Sequence, residues 1–416
     1  MEVFVYTLKT AFLSTVVASI IGVGAAYYTS HRKFAGRKFL LSLSAVPLCV
    51  PPLIVALGYV SFFGINGTVN TALNTSWTFL YSTTGLVLAQ GFYNFPLVTG
   101  IVHDAWEQLP KENENAARLL GAGEGRIFFT ITLRQLSGAI GAACIPVFLF
   151  CFFSFMIVLL FSPVGKSTLE VEIYHSIRTT LETSSAVKLA VIETIAALLF
   201  VVLYSFVSKK SQIYTPGIFF PERKKSSIKK GPEVVGFIIL ALLILLFFMG
   251  PAFSIAISSF TKKAAGERIF SFYNFSTLFS SKKFLAALKN SLCVAAVTGL
   301  LCSVMAFLYA YLVRVFKKQG RLIFSVIPFI PMAISSVVIS WIFSLAFHNT
   351  SASLLVFLEL LLYWPIAYRQ IQNGINQILP ETENWMPKSL LDCQSQWKVI
   401  LFPRKYITTT PIKKNE

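Results

Sequence analysis

The feature that most constrains this chain is the recurrence of apolar runs long enough to cross a bilayer. Nine lie roughly at residues 4–28, 39–63, 84–104, 139–161, 186–207, 234–259, 285–313, 322–347 and 352–373. About 20 apolar residues in a helix cross the hydrocarbon core, and a helix satisfies its own backbone polar groups there. The sequence therefore reads as all-α, a polytopic membrane protein of about nine transmembrane helices. Only 13% of its residues are charged, against about 25% in soluble domains. The net charge of +18 would suit nucleic acid. The basic residues, however, cluster in short loops between apolar runs, the positive-inside pattern. The expected surroundings are thus the lipid bilayer, with no nucleic acid.

The loops also orient the chain. Arg32, Lys33, Arg37 and Lys38 follow the first run, and residues 64–83 carry no Lys or Arg. Residues 208–233 carry seven basic residues, and Arg314, Lys317, Lys318 and Arg321 follow the seventh run. These segments are expected inside, with the N-terminus outside and the C-terminus inside. Residues 260–284, with five basic residues, run against the pattern. The basic linker reads as solvated and near anionic headgroups. The six cysteines form no C-x-x-C pair, so neither disulfide framework nor zinc site is implied. His103 and Asp104 end a run without further ligands, and no metal site is expected.

One polar stretch interrupts this pattern. Residues 109–136 read L-P-K-E-N-E-N-A-A-R-L-L-G-A-G-E-G-R-I-F-F-T-I-T-L-R-Q-L. Pro110 is placed to open a helix, and Glu112 and Glu114 suit its first turn. Ala116, Ala117, Leu119 and Leu120 supply a small and apolar surface. Gly121 and Gly123 can end the helix. A second short amphipathic piece follows, with Ile127, Phe128, Ile131 and Leu133 apolar and Arg126 and Arg134 polar. Helix, glycine break and helix make a compact knob at the membrane surface, suited to a groove in a soluble partner. An ordinary amphipathic loop would read the same way.

This stretch resembles the EAA loop of ABC-importer permeases: E-A-A, three residues, Gly, nine residues, then I-x-L-P. Ala116-Ala117, Gly121, Ile131 and Leu133 keep that spacing. Asn115 stands at the motif's Glu, with Glu114 beside it, and Arg134 at its Pro. Further stretches are similar to fused thiamine-importer permeases, and next to ferric-iron importer permeases: 85–106 with F-Y-N-F-P, 148–161, S-P-V-G-K-S-T-L-E-V-E-I-Y-H-S-I over 162–177, and Y-W-P-I-A-Y over 363–368. The resemblance implies a bacterial inner-membrane, multi-pass permease in an ATP-driven importer. It implies a dimer of ABC ATPase subunits as partner, and an extracytoplasmic substrate-binding protein. The imported solute would be thiamine or a related vitamin, with ferric iron as the alternative. No phosphate loop, Ser–His–Asp arrangement or carboxylate pair is evident in the sequence. The chain is therefore expected to be no enzyme and to hold no cofactor, ATP and Mg residing on the partner ATPase.

An internal repeat divides the chain. Phe4-x-x-x-Leu8-Lys9 matches Phe284-x-x-x-Leu288-Lys289, and Pro47 and Pro51-Pro52 match Pro328 and Pro331 at a similar offset. The expected units are 1–207 as first permease repeat, 208–233 as basic cytoplasmic linker and 234–416 as second repeat. A weaker second knob occupies 380–405, where Ser389, Leu390 and Pro403 keep parts of the motif. Leu390 or Leu391 stands where its Gly would be. Full symmetry would give twelve spans, so one initial and two final spans are expected to be lacking. A truncated, non-functional permease remnant is the competing reading.

The ATPase-coupling loop is thus expected at Glu114, Asn115, Ala116, Ala117, Gly121, Ile131, Leu133, Ser389, Leu390 and Pro403. Candidates for the translocation path are Asn94, Pro96, Ser154 and Pro365. For Asn94, Pro96 and the other span prolines a structural kink is the competing reading. Glu170 and Glu172 read as loop acids, either solvated or facing a binding protein. Buried ionisable residues, the mark of a secondary transporter, are almost absent from the runs.

Overall fold

The computed structural model describes residues 2–110, 112–211, 225–228, 231–264, 267–315, 334–347 and 351–377, with positions 324, 327, 328 and 331 between them. Helix dominates. Helix α1 is Glu2–His31, followed by strand β1 at Arg32–Lys33. Helix α2 is Pro52–Phe63, α3 Thr83–Glu107 and α4 Glu112–Leu119. Helix α5 runs through Glu124–Phe152, then α6 at Met156–Phe161, α7 at Leu169–Arg178 and α8 at Thr183–Ser211. Strand β2 is Ser226–Ser227 and α9 Gly231–Ser259. A hairpin of β3, Thr261–Ala264, and β4, Glu267–Phe270, precedes α10 at Lys282–Val315. Helix α11 is Ser336–Ala346 and α12 Ala352–Gln377.

Eight spans of described helix are long and apolar enough to cross a membrane, one fewer than the nine expected. The eighth run supplies only the shorter α11. Ser335 starts it, its hydroxyl oxygen accepting from the Val337 and Val338 N–H groups at 3.1 and 3.4 Å, as an N-cap does. The second run is not one helix over 39–63. It breaks at Val50 (ψ 121°) and Pro51 (ψ 135°), because a residue before proline is driven out of the helical region. The candidate span there is Pro52–Leu73. The fourth run breaks over 153–155, between α5 and α6, with Ser154 at the break.

Helix α1 crosses α3 at close range, and its buried face explains how. Thr7, Ala11, Ser14, Ala18, Gly22, Ala25 and Thr29 recur along it at helical spacing, all buried. Helices in lipid gain from packing and hydrogen bonding rather than from water exclusion, so small residues at the contact matter. A Cβ on Gly22 would lie 2.6 Å from Val98 Cβ, and one on Gly91 2.6 Å from a Val17 methyl. The hydroxyls are satisfied locally, as Thr7 on Val3 O, or across the contact, as Ser14 Oγ donating to Gln90 Oε1 at 2.8 Å. Phe92, Phe95, Val98, Val102 and Trp106 carry this core along α3.

Helix α9, the first helix of the expected second unit, packs on the first unit. Phe247 stacks on Phe92 at 4.8 Å and on Phe63 at 5.3 Å. Pro251 lacks an N–H, which leaves the Phe247 carbonyl without its helical donor. The Tyr59 hydroxyl of α2 donates to that carbonyl. Helix α10 pairs with α12 through Ala306, Ala310 and Tyr368.

Two basic segments, the loop after α1 and residues 225–228, meet at one end of this bundle. Strand β1 pairs with β2, Arg32 bridges to Glu233, and Glu107 receives Lys225 at 3.1 Å and Arg37 at 3.7 Å. The linker was expected to be solvated. Within it, residues 225–228 lie against the first basic loop, Lys225 on Glu107 and Ser226 accepting from Arg32, while Ser226 and Ser227 stay exposed.

Candidate functional site

The knob projects from the same end. Helix α4 keeps both acids in its first turn and ends at Gly121, whose φ is +81°. Gly121 N–H donates to Arg118 O at 3.0 Å and Ala122 N–H to Ala117 O at 3.0 Å. This is the Schellman pairing that a left-handed glycine allows. Gly123, at φ −70°, needs no such freedom, so the glycine requirement falls on Gly121 alone.

The second half of the knob differs from expectation. It is not a separate short helix but the first turns of α5, continuous through to Phe152. A π-helical stretch over Phe128–Thr132 takes up the register change. Between Ile127 and Ile145 there is no Pro and no glycine of positive φ to end the helix. The knob is thereby built directly onto a membrane span.

Two contacts hold the halves together. Thr132 donates to Glu114 Oε1 at 3.2 Å, and both are buried. Arg118 reaches Glu124 with Nε at 2.7 Å and Nη2 at 3.1 Å, the planar two-point pairing that suits guanidinium and carboxylate. The hydrogen bond that Arg118 donates to Glu124, against the opposing effect of desolvation, pushes the Arg118 pKa above its ordinary value, and the fields of Glu124 and Glu114 add to it. Asn115, at the motif's Glu position, is exposed and accepts from Arg118 at 2.9 Å. The carboxylate tied into the knob is thus Glu114, one residue earlier.

On its inner side the knob is seated by Ile127 and by Phe128, which stacks on Trp106 of α3 at 6.0 Å. On its outer side Leu119, Leu120 and Phe129 are 89%, 88% and 68% exposed. Ala116 is exposed beside them, while Ala117, Ile131 and Leu133 are half-buried. Ser389, Leu390 and Pro403 lie outside the described residues.

The candidate path residues are scattered. Asn94 and Pro96 do not interrupt their run: both are buried inside a continuous α3. Asn94 Nδ2 donates to Gln90 O at 2.9 Å and lies 3.5 Å from Cys151 Sγ. That brings Asn94 to the end of α5, three residues before Ser154. Pro365 lies on α12, in the separate pairing with α10.

Two acids escaped the sequence reading. Glu170 is not a solvated loop residue: it is buried in the first turn of α7 with 0% exposure, and Glu193 of α8 is 1% exposed. The two interact electrostatically, so a carboxylate pair is present after all, and one member sits inside a span. Burial raises the Glu170 carboxyl above the usual carboxylate range, with the neighbouring Ser335 hydroxyl pulling the other way. Glu193 was legible as the polar member of an otherwise small buried face, Ala186, Ala190 and Ala197. Glu170's burial depends on α7 folding back, where Leu169 N–H donates to Thr7 Oγ1 at 3.0 Å.

A helical bundle of membrane spans carrying a clamped, partly apolar knob at its basic end has the build of a permease subunit. Residues 18–213 match the family described as binding-protein-dependent transport system inner membrane component, a match that supports an ABC-importer permease of the inner membrane. The thiamine transport system permease protein ThiP of Escherichia coli is 24% identical over 88% of this chain and 69% of its own length. The Haemophilus influenzae ThiP is 27% identical over 75% of this chain and 56% of its own length. The sulfate transport system permease protein CysW of Synechocystis is 31% identical over 31% of this chain and 48% of its own length.

Proposed function

We propose that this chain is the membrane-spanning subunit of an ATP-driven importer, with the knob as its contact for a separate ABC ATPase dimer. The observation that carries this reading is the pairing of a rigid clamp with an exposed apolar cap. Leu119, Leu120 and Phe129 face outward while Glu114, Thr132, Arg118 and Glu124 fix the knob's shape. Exposed apolar side chains grouped on a rigid projection favour a protein partner over water. Because the knob continues into α5, a push on it is delivered to a span.

The coupling residues in this reading are Glu114, Asn115, Ala116, Ala117, Gly121, Ile131 and Leu133, joined by Ser389, Leu390 and Pro403 of the second knob. The units remain those of the repeat, 1–207 and 234–416 about the linker 208–233. ATP and Mg belong to the ATPase, and an extracytoplasmic binding protein delivers the solute at the opposite end. The names of the ThiP relatives support thiamine as that solute, with ferric iron as the competitor.

The test is uptake by membrane vesicles holding the chain, its ATPase and its binding protein. Labelled thiamine and ferric iron are supplied separately, with and without ATP. ATP-dependent accumulation of thiamine supports the reading. Accumulation of iron alone would replace the solute, and ATP-independent accumulation would overturn the mechanism.

A further inference from the structure

Residues 260–284 carry five basic residues and one acidic residue on the side expected outside, against the charge pattern of the other loops. Arg32 bridges to Glu233 near the start of α9, and α9 ends at Ser259 after 29 residues. A helical rise of about 1.5 Å per residue makes that about 40 Å, close to a whole bilayer with its headgroup layers. The segment after Ser259 therefore emerges at the opposite headgroup level, and α10 leaves from the same level at Lys282.

The segment has a fixed shape. Strands β3 and β4 pair antiparallel, with Thr261 opposite Phe270. A short helix follows at Tyr273–Ser280. Asn274 Nδ2 donates to Ser259 O and Thr261 O at 3.1 and 3.0 Å, which ties that helix to the end of α9. Phe260 stacks on Phe270 at 5.9 Å and meets Phe275 at 5.0 Å. Even so, Phe270, Phe272 and Phe279 are 68%, 61% and 56% exposed. Lys262 Nζ stands 3.5 Å from the centre of the Tyr273 ring, and Lys282 and Lys283 are exposed.

We propose that residues 260–284 form a foot seated on the outer leaflet, where Lys262, Lys282 and Lys283 recognise anionic phospholipid headgroups. Aromatic rings settle at the membrane–water interface, lysines are drawn to anionic lipid, and a short helix with apolar and polar sides lies in that plane. Both ends of the segment already stand in the headgroup layer, so lipid meets its exposed rings without any further partner. An acidic face on a soluble protein is the poorer occupant, since it would have to displace that lipid. The outer cations then have a physical reason, their attraction to the headgroups beside them. The proposal needs only the spans and their orientation, and it stands apart from the ATPase and solute readings.

The experiment is photocrosslinking of the full chain in nanodiscs, with the crosslinked peptides mapped by mass spectrometry. The probes are phosphatidylglycerol and phosphatidylcholine, each carrying a diazirine at headgroup level. Within 260–284 wild type should crosslink phosphatidylglycerol at least roughly tenfold more than phosphatidylcholine. Lys262→Gln, Lys282→Gln and Lys283→Gln together should cut that yield by roughly a hundredfold, about fivefold per lysine at an anionic surface. Crosslinks at the loop after α1 should be unchanged. The same three positions changed to Arg should keep the wild-type yield, because the charge is retained. Should the Gln variant fail to insert, salt decides on wild type, whose yield should fall as ionic strength rises. No crosslink within 260–284, equal yields from the two lipids, a salt-independent yield, or a Gln variant within about twofold of wild type overturns the proposal. Displacement of the crosslink by added extracytoplasmic binding protein also overturns it, and gives the face to a protein.

Discussion

Gly121 gives the sharpest perturbation of the knob. Its φ of +81° is left-handed, and a Cβ added there would meet nothing within 4 Å. Substitution therefore costs backbone strain without steric collision, about 1–2 kcal/mol for an ordinary side chain and less for Asn or Asp, which tolerate that region. The helix it caps has eight residues, too short to persist alone. It is held by the buried Glu114–Thr132 bond, worth about 1.5–3 kcal/mol, and by the exposed Arg118–Glu124 pair, worth about 0.2–1 kcal/mol. Strain of that size removes a large share of what holds the knob. It raises the frayed population by roughly 5–30-fold, while the spans stay folded. Hydrogen exchange over residues 112–122 and ATPase co-purification are measured on Gly121→Asn, Gly121→Ala and Gly121→Val. Protection and ATPase retention should fall in that order, β-branched Val being worst. Wild-type protection in the Val variant, or an Asn variant as damaged as Val, would refute the argument. Gly121→Asp adds a charge beside Leu119 and Leu120, and should lower uptake with membrane insertion intact.

The remaining expectations follow from single contacts. Glu114→Ala should destabilise the knob by about 1–3 kcal/mol by leaving Thr132 without its buried acceptor, whereas Asn115→Ala should cost under about 0.5 kcal/mol, as exposed sites do; hydrogen exchange reads both. Tyr59→Phe strips the donor from the Phe247 carbonyl that Pro251 leaves open, and should cost about 1–3 kcal/mol in detergent melting. Gly22→Leu should separate α1 from α3, since even a Cβ would come within 2.6 Å of Val98; loss of a cysteine crosslink between the helices reports it. Lys225→Ala should speed proteolysis around residue 225 by freeing the linker from Glu107.

What the sequence disclosed and what it concealed separate along physical lines. Apolar run length disclosed most spans, because crossing a bilayer demands it. The left-handed Gly121 and the acids of the first turn were legible because capping is local chemistry. The break at Val50–Pro51 lies inside a run already marked by Pro47, Pro51 and Pro52, which hydropathy alone passes over. Continuity of α4's partner with α5 was hidden because Gly123 and Gly125 look like breakers, yet only Gly121 has a positive φ among them. The register of the knob's carboxylate was obscured by two adjacent candidates, Glu114 and Asn115, and only the distance to Thr132 separates them. Glu170 was misread because burial by a returning helix is a tertiary fact. Its partner Glu193 is 23 residues away in sequence, beyond any local pattern.

The central claim is that the knob's outer face receives an ATPase. Its most direct measurement compares wild type with a Leu119→Asp, Leu120→Asp double variant in nanodiscs, following ATPase co-purification and binding-protein-stimulated ATP hydrolysis together. Both leucines are almost fully exposed, so the variant should insert and melt like wild type. It should nevertheless lose the ATPase and the stimulated hydrolysis. A double variant that keeps its ATPase and hydrolyses ATP at the wild-type rate would contradict the account.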